Sequence, residues 1–311
     1  MEGFILAAGL GTRLRPLTND RPKALVEIPA GRNRERMTLL EHTIHKLEAA
    51  GIHHIVVNIH HFADKVVEFL ASNHWQAKID ISDERDLLLD TGGGLKKAGA
   101  LFSGKENVLV HNVDILSHID LRKVEEFHRM QENLVTLCVS QRNTKRLLAF
   151  DEKGLLIGRA TDSSTTASRR SPSPNLGEEL KSINRSNSTS PNLGEELKSI
   201  NRSNNTSPNL GEELKSINRS NSSSPKLGEV DARRADGGVC TCALAFSGIS
   251  IVSPELFALL PEADHPYPVI DEYIRLSLDG HRIGSYQHSP EHWLDVGKPE
   301  TLELAKTFQA F

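Results

Sequence analysis

The stretch LAAGLGTRLRPLTNDRPKALVEI, residues 6–28, decides the fold of this chain. It overlaps the short apolar run GFILAA, residues 3–8, which is typical of a buried strand and breaks at once into glycines. Gly9 and Gly11 permit a tight turn in which backbone amides approach a phosphate closely. The pattern therefore predicts an anion-binding loop at the end of the first strand.

Two cationic side chains follow the glycines. Arg13 and Lys23 supply positive charge for a triphosphate, and Pro22 stiffens the chain that presents the lysine. Two better-known glycine-rich patterns do not fit. A dinucleotide fingerprint needs a third glycine where this chain has Leu14, and the P-loop pattern is absent. We therefore interpret the stretch as a triphosphate-binding loop.

Outward from this loop, strand-like and helix-like segments alternate. The pattern predicts a mostly parallel sheet covered by helices on both faces, an α/β fold. The expected strands are 54–59, 78–82, 107–112 and 134–140, and the expected helices are 38–50, 94–100, 120–131, 252–260, 269–279 and 299 to about 309.

The middle of the chain is a low-complexity repeat. Three copies of PNLGEELKSINRSN and a degraded fourth copy begin at prolines spaced 17 residues apart. Each copy holds too few apolar residues to bury a continuous face, and its Ser, Asn, Pro and Arg content is typical of disorder. We predict a disordered insertion at 163–238, placed at the tip of a hairpin. A single domain would then be built from residues 1–162, the nucleotide-binding part, and 239–311.

Composition excludes several classes of partner. The net charge is −4 and the pI is about 6.4, so neither a nucleic acid nor an anionic membrane surface is expected as a partner. No apolar stretch has the length of a membrane span, and the N-terminus does not resemble a signal peptide. Three cysteines cannot form an even disulfide framework. We expect a cytoplasmic protein with reduced thiols.

Two aspartates stand at strand ends. Asp114 follows the strand VLVHN, and Asp295 ends the strand-like segment HWLD. Ligands of open α/β sheets bind at the carboxyl ends of strands. Mg²⁺ prefers one or two carboxylates together with phosphate oxygens and water. We therefore predict that Asp114 and Asp295 bind Mg²⁺.

The quoted stretch resembles the G-x-G-T-R-x-x-P-L-T…P-K signature of the sugar-1-phosphate nucleotidyltransferases. The resemblance covers residues 3–162 and 239–309. It implies a Rossmann-like three-layer fold, Mg²⁺ as cofactor, and a nucleoside triphosphate and a sugar 1-phosphate as substrates. By match, Arg13 contacts the β- and γ-phosphates and Lys23 the α-phosphate. The loop that embraces the nucleotide comprises Leu6, Ala7, Ala8, Gly9, Gly11 and Thr12.

Other segments resemble further elements of that family. The W-x-D-x-G-x-P element is matched around Asp295, whereas Asn112-Val113 stands where a glycine normally precedes the first aspartate. By the resemblance, Asn112 contacts the nucleotide. Thr91-Gly92-Gly93 resembles the T-A-G-G element near base and ribose, with Asp83-Glu84-Arg85 in the base-reading region. Ser247, Gly248 and Asp271 are the candidates for sugar binding.

Alternatives remain open within and beyond this class. The short core resembles both mannose- or heptose-1-phosphate guanylyltransferases and N-acetylmuramate-1-phosphate uridylyltransferases, so base and sugar stay undecided. A catalytically inactive regulator that binds nucleotide sugars is a second reading, and the four intact charged residues argue against it. A third is that the repeats recruit a partner.

Overall fold

The computed structural model describes residues 1–29, 36–160, 242–305 and 307–308. The predicted insertion at 163–238 lies outside these ranges, so its disorder stays a prediction. The strands are β1 (Glu2–Leu6), β2 (Glu27–Pro29), β3 (Arg36–Thr38), β4 (His54–Ile59), β5 (Lys78–Asp83), β6 (Val108–Asn112), β7 (Ile115–Ser117), β8 (Val135–Ser140), β9 (Leu147–Phe150), β10 (Leu156–Arg159), β11 (Cys242–Val252), β12 (Ile283–Gln287) and β13 (Trp293–Asp295). The helices are α1 (Leu39–Ala49), α2 (Ala63–Ser72), α3 (Asp90–Ala98), α4 (Leu121–Met130), α5 (Leu256–Leu259), α6 (Val269–Leu278) and α7 (Pro299–Leu304).

A nine-stranded sheet forms the centre of the described chain. Its first half is parallel throughout, in the order β6-β1-β4-β5. The long strand β11 joins antiparallel to β6 and pairs on its other side with β8, to which β12 is parallel. The carboxyl ends of β1, β4 and β6 therefore meet at one edge of the sheet.

Helices cover both faces of the sheet, as the alternation of segments predicted. Neighbouring residues of β1 point to opposite faces: Ile5 packs in a core that holds the apolar sides of α1, α2 and α4, and Phe4 in a core that holds those of α3, α5 and α6. The α/β, Rossmann-like three-layer fold is thus confirmed. None of the described helices is long and apolar enough to cross a membrane.

Local signals in the sequence explain several element boundaries. Helix α1 starts where the Thr38 hydroxyl accepts a hydrogen bond from Glu41 N, 3.1 Å away, and Gly51 follows its end with φ +87°. The Asp120 carboxylate caps α4 in the same way. These are the capping residues that helices prefer, which is why both helices match their predicted positions closely.

The predicted hairpin across the insertion is confirmed only for β9, which pairs antiparallel with β11; the second half of the segment before the insertion is not part of that pair. The segment LLAFDEKGLLIGRA forms a hairpin by itself, β9 with β10, because the Asp151 carboxylate accepts hydrogen bonds from Lys153 N and Leu155 N at 2.9 and 2.8 Å and so closes a tight turn. Strand β11 pairs with β9. Strand β9 therefore lies between the strands that precede and follow the insertion.

Three predicted helices differ from the observed ones in length or position. Strand β11 continues to Val252, which leaves only one helical turn, α5, for the predicted helix 252–260. Helix α7 ends at Leu304 instead of near 309. Helix α3 starts at Asp90, four residues before the predicted 94–100, so Thr91, Gly92 and Gly93 lie inside the helix.

Candidate active site

The glycine loop leaves the sheet at the carboxyl end of β1. Gly11 has φ +65°, a conformation that favours glycine, and its carbonyl accepts a hydrogen bond from the Thr18 hydroxyl at 2.8 Å. A Cβ at Gly11 would lie 3.0 Å from both Lys23 Cβ and Thr18 Cγ2. The loop is thus folded against the segment that carries Lys23. Gly9, Thr12 and Arg13 are accessible to solvent on it.

Two short strands bring the aspartates together. Strand β13 pairs with β7 so that Asp295 is opposite Ile115, and Val296 N donates to the Asp114 carbonyl at 2.9 Å. A Cβ added to Gly297 would lie 2.7 Å from Asp295 Oδ1 and 3.0 Å from Asp114 Oδ2. The two carboxylates therefore converge on one point although they are far apart in the chain.

Both predicted cations reach the same point. Lys23 Nζ forms an ion pair with Asp114 Oδ2, and Arg13 Nη2 would lie 3.2 Å from a Cβ at Gly297. Burial raises the pKa of Asp295, the charge of Asp114 raises it further, and Lys23 and Arg13 act in the opposite direction. We call these four residues, Arg13, Lys23, Asp114 and Asp295, the carboxylate centre.

The second and third residues of the predicted loop, Ala7 and Ala8, are already hydrogen-bonded within the protein. Ala7 N and Ala8 N both donate to Asn58 Oδ1, at 2.6 and 3.1 Å, and Asn58 Nδ2 donates to Glu84 Oε1 at 2.7 Å. Asn58 is not among the residues predicted from the sequence. Its signal was a polar residue in the apolar strand HIVVNI.

The Thr91-Gly92-Gly93 element lies in the first turn of α3. Gly92 N donates to the Tyr267 carbonyl at 2.9 Å, and a Cβ on Gly92 would overlap the Tyr267 ring. The Thr91 hydroxyl accepts a hydrogen bond from Val269 N at the start of α6, 3.0 Å away. These residues therefore join α3 closely to the segment before α6, and their contact with a nucleotide stays a prediction.

The predicted sugar-binding residues separate into two places. Ser247 Oγ lies 2.7 Å from His288 Nε2, and a Cβ on Gly248 would lie 2.9 Å from Asn112 Nδ2, so these residues adjoin the end of β6. Asp271, in the first turn of α6, forms an ion pair with Arg159 at the end of β10. The contacts of Asp271 thus do not link it to Ser247.

An arginine that the sequence analysis missed lies beside Ser247. The Arg142 guanidinium stacks on the Trp293 ring at 3.5 Å from its centroid, and Arg142 Nη2 donates to the Phe246 carbonyl at 2.6 Å. Trp293 Nε1 donates to the Ser247 carbonyl at 2.7 Å. Burial lowers the pKa of Arg142, and the charge of Asp295 opposes that shift. We call Arg142, Ser247, His288 and Trp293 the Trp293 cluster. The available sequence signal was a cationic residue two positions after the end of β8.

Part of the chain is similar in sequence to known nucleotidyltransferases. Residues 2–148 match the model of the nucleotidyl transferase family. Over 114 residues, which are 36% of this chain and 44% of the relative, the chain is 50% identical to the N-acetylmuramate alpha-1-phosphate uridylyltransferase of Caulobacter vibrioides. Over 145 residues it is 34% identical to the mannose-1-phosphate guanyltransferase of Hypocrea jecorina, with 45% and 38% covered. The chain thus spans less than half the length of these curated relatives.

Solved structures share the fold. HddC from Yersinia pseudotuberculosis, complexed with GMP-PN, superposes with a TM-score of 0.60 at 16% identity and covers 98% of each chain. A putative glucose-1-phosphate thymidylyltransferase from Bacillus anthracis gives a TM-score of 0.62 at 16% identity, covering 100% of this chain and 95% of the other. At this level of identity the likeness concerns the fold alone.

Proposed function

We propose, given that residues 2–148 belong to the nucleotidyl transferase family, that this chain transfers a nucleoside monophosphate from a nucleoside triphosphate to a sugar 1-phosphate. The observation that carries the proposal is the carboxylate centre. Two carboxylates and two cations from three separate segments meet beside Gly297, at the sheet edge where the glycine loop begins. Such a point suits a reaction between phosphates, which needs negative charge to be neutralised and held in place.

The carboxylate centre also fits a magnesium ion. Burial, and after it the repulsion from Asp114, raises the pKa of Asp295, and the convergence of the two carboxylates beside Gly297 would favour a cation between them. Within the described ranges no group of three or more His, Cys, Asp or Glu side chains is arranged to hold a metal ion. The two aspartates would therefore share Mg²⁺ with phosphate oxygens and water. When bound, the ion would supply charge neutralisation at the reacting phosphates.

The chemistry requires no general base from the protein. An oxygen of the sugar 1-phosphate attacks the α-phosphorus, the bond from that phosphorus to the bridging oxygen breaks, and pyrophosphate leaves. The attacking phosphate is largely a dianion at neutral pH because its second pKa is about 6. Lys23, already at the carboxylate centre, would stabilise the α-phosphate, and Arg13 on the exposed loop would take up charge on the leaving pyrophosphate.

The acceptor would bind on the side of the Trp293 cluster. Arg142 lies near enough to Asp295 for the two charges to interact, and its stacking on Trp293 fixes the plane of its guanidinium. A planar guanidinium binds phosphate oxygens in pairs. Arg142 would therefore hold the phosphate of the sugar substrate while His288 and Ser247 line the space next to it.

For base and sugar we propose uridylyl transfer to N-acetylmuramate 1-phosphate, with guanylyl transfer to mannose 1-phosphate as the second candidate. The 50% identity to the Caulobacter vibrioides relative favours the first. The 34% identity to the Hypocrea jecorina relative supports the second.

Measurement of pyrophosphate release with Mg²⁺ tests both the proposed reaction and the proposed base and sugar. UTP, GTP, CTP, ATP and dTTP are each combined with the 1-phosphates of N-acetylmuramate, mannose, glucose, N-acetylglucosamine and manno-heptose. Release with UTP and N-acetylmuramate 1-phosphate is the expected result. Release with another pair would correct base or sugar and keep the reaction. Folded protein that binds a nucleotide but releases no pyrophosphate with any pair would contradict the reaction and favour a nucleotide-sugar-binding regulator.

A further inference from the structure

Two polar side chains that the proposed reaction does not use are buried beneath the glycine loop. Asn58, in β4, is 2% exposed, and Glu84, directly after β5, is fully buried. A buried amide or carboxylate costs free energy unless its hydrogen bonds are made. The partners of these two side chains therefore indicate what the pair is there to hold.

The Asn58 side chain accepts hydrogen bonds from the chain directly after β1, where the backbone pairing of β1 with β4 ends. In the parallel pairing of β1 with β4, Leu6 is opposite Asn58, and the chain leaves the sheet directly afterwards. The amides of Ala7 and Ala8 then donate to Asn58 Oδ1, at 2.6 and 3.1 Å. A single side-chain oxygen thus fixes the direction in which the chain enters the glycine loop.

Glu84 extends this connection to the start of α3. One of its oxygens, Oε1, accepts from Asn58 Nδ2 at 2.7 Å, and the other, Oε2, accepts from Leu89 N at 3.1 Å. Leu89 directly precedes α3. Packing leaves the pair no space to move, because a Cβ on Gly94 would lie 2.7 Å from Glu84 Oε1 and 3.1 Å from Asn58 Nδ2.

We propose that Asn58 and Glu84 are positioning residues for the nucleotide, which hold the glycine loop and the start of α3 in one fixed relation. The proposal rests on the proposed function only in that the glycine loop binds a nucleoside triphosphate. Both Glu84 oxygens are committed inside the protein and the residue is fully buried. Glu84 therefore acts on the nucleotide through Asn58 and α3 and does not read the base itself.

The direction of the hydrogen bonds provides a sharp test. Asn58→Asp places two carboxylates face to face. In Glu84→Gln the new amide NH2 must face one of the two donors that the carboxylate accepted from, Asn58 Nδ2 or Leu89 N. One hydrogen bond is therefore lost. The double variant restores every bond, since the new carboxylate at 58 accepts from Ala7 N, Ala8 N and the new amide at 84, whose oxygen accepts from Leu89 N.

The Kd of UTP and of GTP, measured by calorimetry in the absence of any sugar phosphate, is the first readout. Each single variant should weaken the tighter-bound nucleotide about tenfold or more, as expected when a buried hydrogen-bonding group loses its partner. The double variant should return to within about threefold of wild type. In turnover, the KM for the nucleoside triphosphate should rise in the single variants more than kcat falls, with the KM for the sugar 1-phosphate unchanged.

Asn133→Asp is the matched control. Asn133 is a buried asparagine before β8, and its Nδ2 donates to Thr136 Oγ1 at 3.0 Å. It lies at the amino ends of the parallel strands, away from the glycine loop. This variant should lose stability without losing nucleotide affinity. If a single variant at 58 or 84 does not fold, Gly94→Ala replaces it, because its Cβ would displace Glu84 without removing a hydrogen-bonding group.

Unchanged nucleotide affinity in the folded single variants, or in folded Gly94→Ala, overturns the proposal. A double variant that is as weak as the two single effects combined also overturns it, because the pair would then not act as a unit. These outcomes are independent of catalysis. A wild-type protein that binds UTP or GTP but releases no pyrophosphate contradicts the proposed function alone, and one that binds neither nucleotide contradicts both.

Discussion

The glycine loop and the Trp293 cluster face the same carboxylate centre but are built in opposite ways. The loop is a continuous piece of chain, and its charged residues, Arg13 and Lys23, lie ten positions apart. The Trp293 cluster comes from the middle of β11, the start of β13 and the segments that follow β8 and β12, and stacking and hydrogen bonds hold it together. A local motif can be read from sequence alone, whereas a cluster of distant residues becomes visible only when the sheet is known.

The largest expected effect is at the carboxylate centre, which both regions share. Asp114→Asn should lower kcat at least about 10²–10³-fold, because it removes one of two converging carboxylates and the partner of Lys23. Steady-state kinetics with the best substrate pair checks this. Asp279→Asn, at an exposed ion pair on α6, is the control and should behave as wild type. If the kcat of Asp114→Asn equalled that of the wild type, Asp114 would have no role in the reaction.

The next effect isolates the glycine-loop side. Lys23→Met should reduce kcat about 10²-fold, as for the loss of one group that stabilises transition-state charge, with little change in the KM for the sugar 1-phosphate. Lys123→Met, an exposed lysine on α4, serves as the control. If the KM for the sugar 1-phosphate rose as strongly as kcat fell, the division between the two regions would be wrong.

Arg142→Ala isolates the other region. It should raise the KM for the sugar 1-phosphate about tenfold or more and leave the Kd of the nucleotide unchanged, because a hydrogen bond between charged groups, here guanidinium and phosphate, contributes about 1.5–3 kcal/mol. Arg142→Lys should not restore binding, since lysine lacks the planar group that stacks on Trp293. Arg282→Ala, far away before β12, is the control. If Arg142→Ala weakened nucleotide binding and left the KM for the sugar 1-phosphate unchanged, the assignment of Arg142 to the sugar-phosphate side would be wrong.

The smallest effect concerns stability. Gly92→Ala should lower the free energy of unfolding by about 1–3 kcal/mol, because its Cβ would overlap the Tyr267 ring. Gly9→Ala should change it little, since nothing lies within 4 Å of a Cβ there. Denaturant unfolding of both variants measures the difference. Equal stabilities would mean that the contact between α3 and the segment before α6 is looser than described.

Much of the fold could be predicted because its elements carry local signals. Strand β4 matches the predicted 54–59, and α1 and α6 start and end within one residue of their predicted limits. Strand pairing was harder, since it depends on which edge is available. The run before the insertion has the composition of a single hairpin arm, but the turn at Asp151 folds it on itself, so that only its first strand, β9, pairs with β11.

For the candidate site, the sequence indicated the charged residues but not their supports. Arg13, Lys23, Asp114 and Asp295 were chosen from motifs, and the structure brings them together. Asn58 and Arg142 were missed because their meaning depends on neighbours in space. In the sequence, Asn58 looks like an ordinary strand residue. Only the structure shows that its side-chain amide is hydrogen-bonded to two segments that are distant in the chain.

The position of β9 determines how far apart the two ends of the connection that carries the repeats lie. Strands β10 and β11 flank β9, so Arg159 and Cys242 are held two strand spacings apart and offset by two residues, roughly 12 Å in all. About four to six extended residues would bridge that gap. Doubling a connection adds only about 0.6 kcal/mol to its closure cost. Gain or loss of one 17-residue repeat therefore changes the closure cost of this connection by less than that amount.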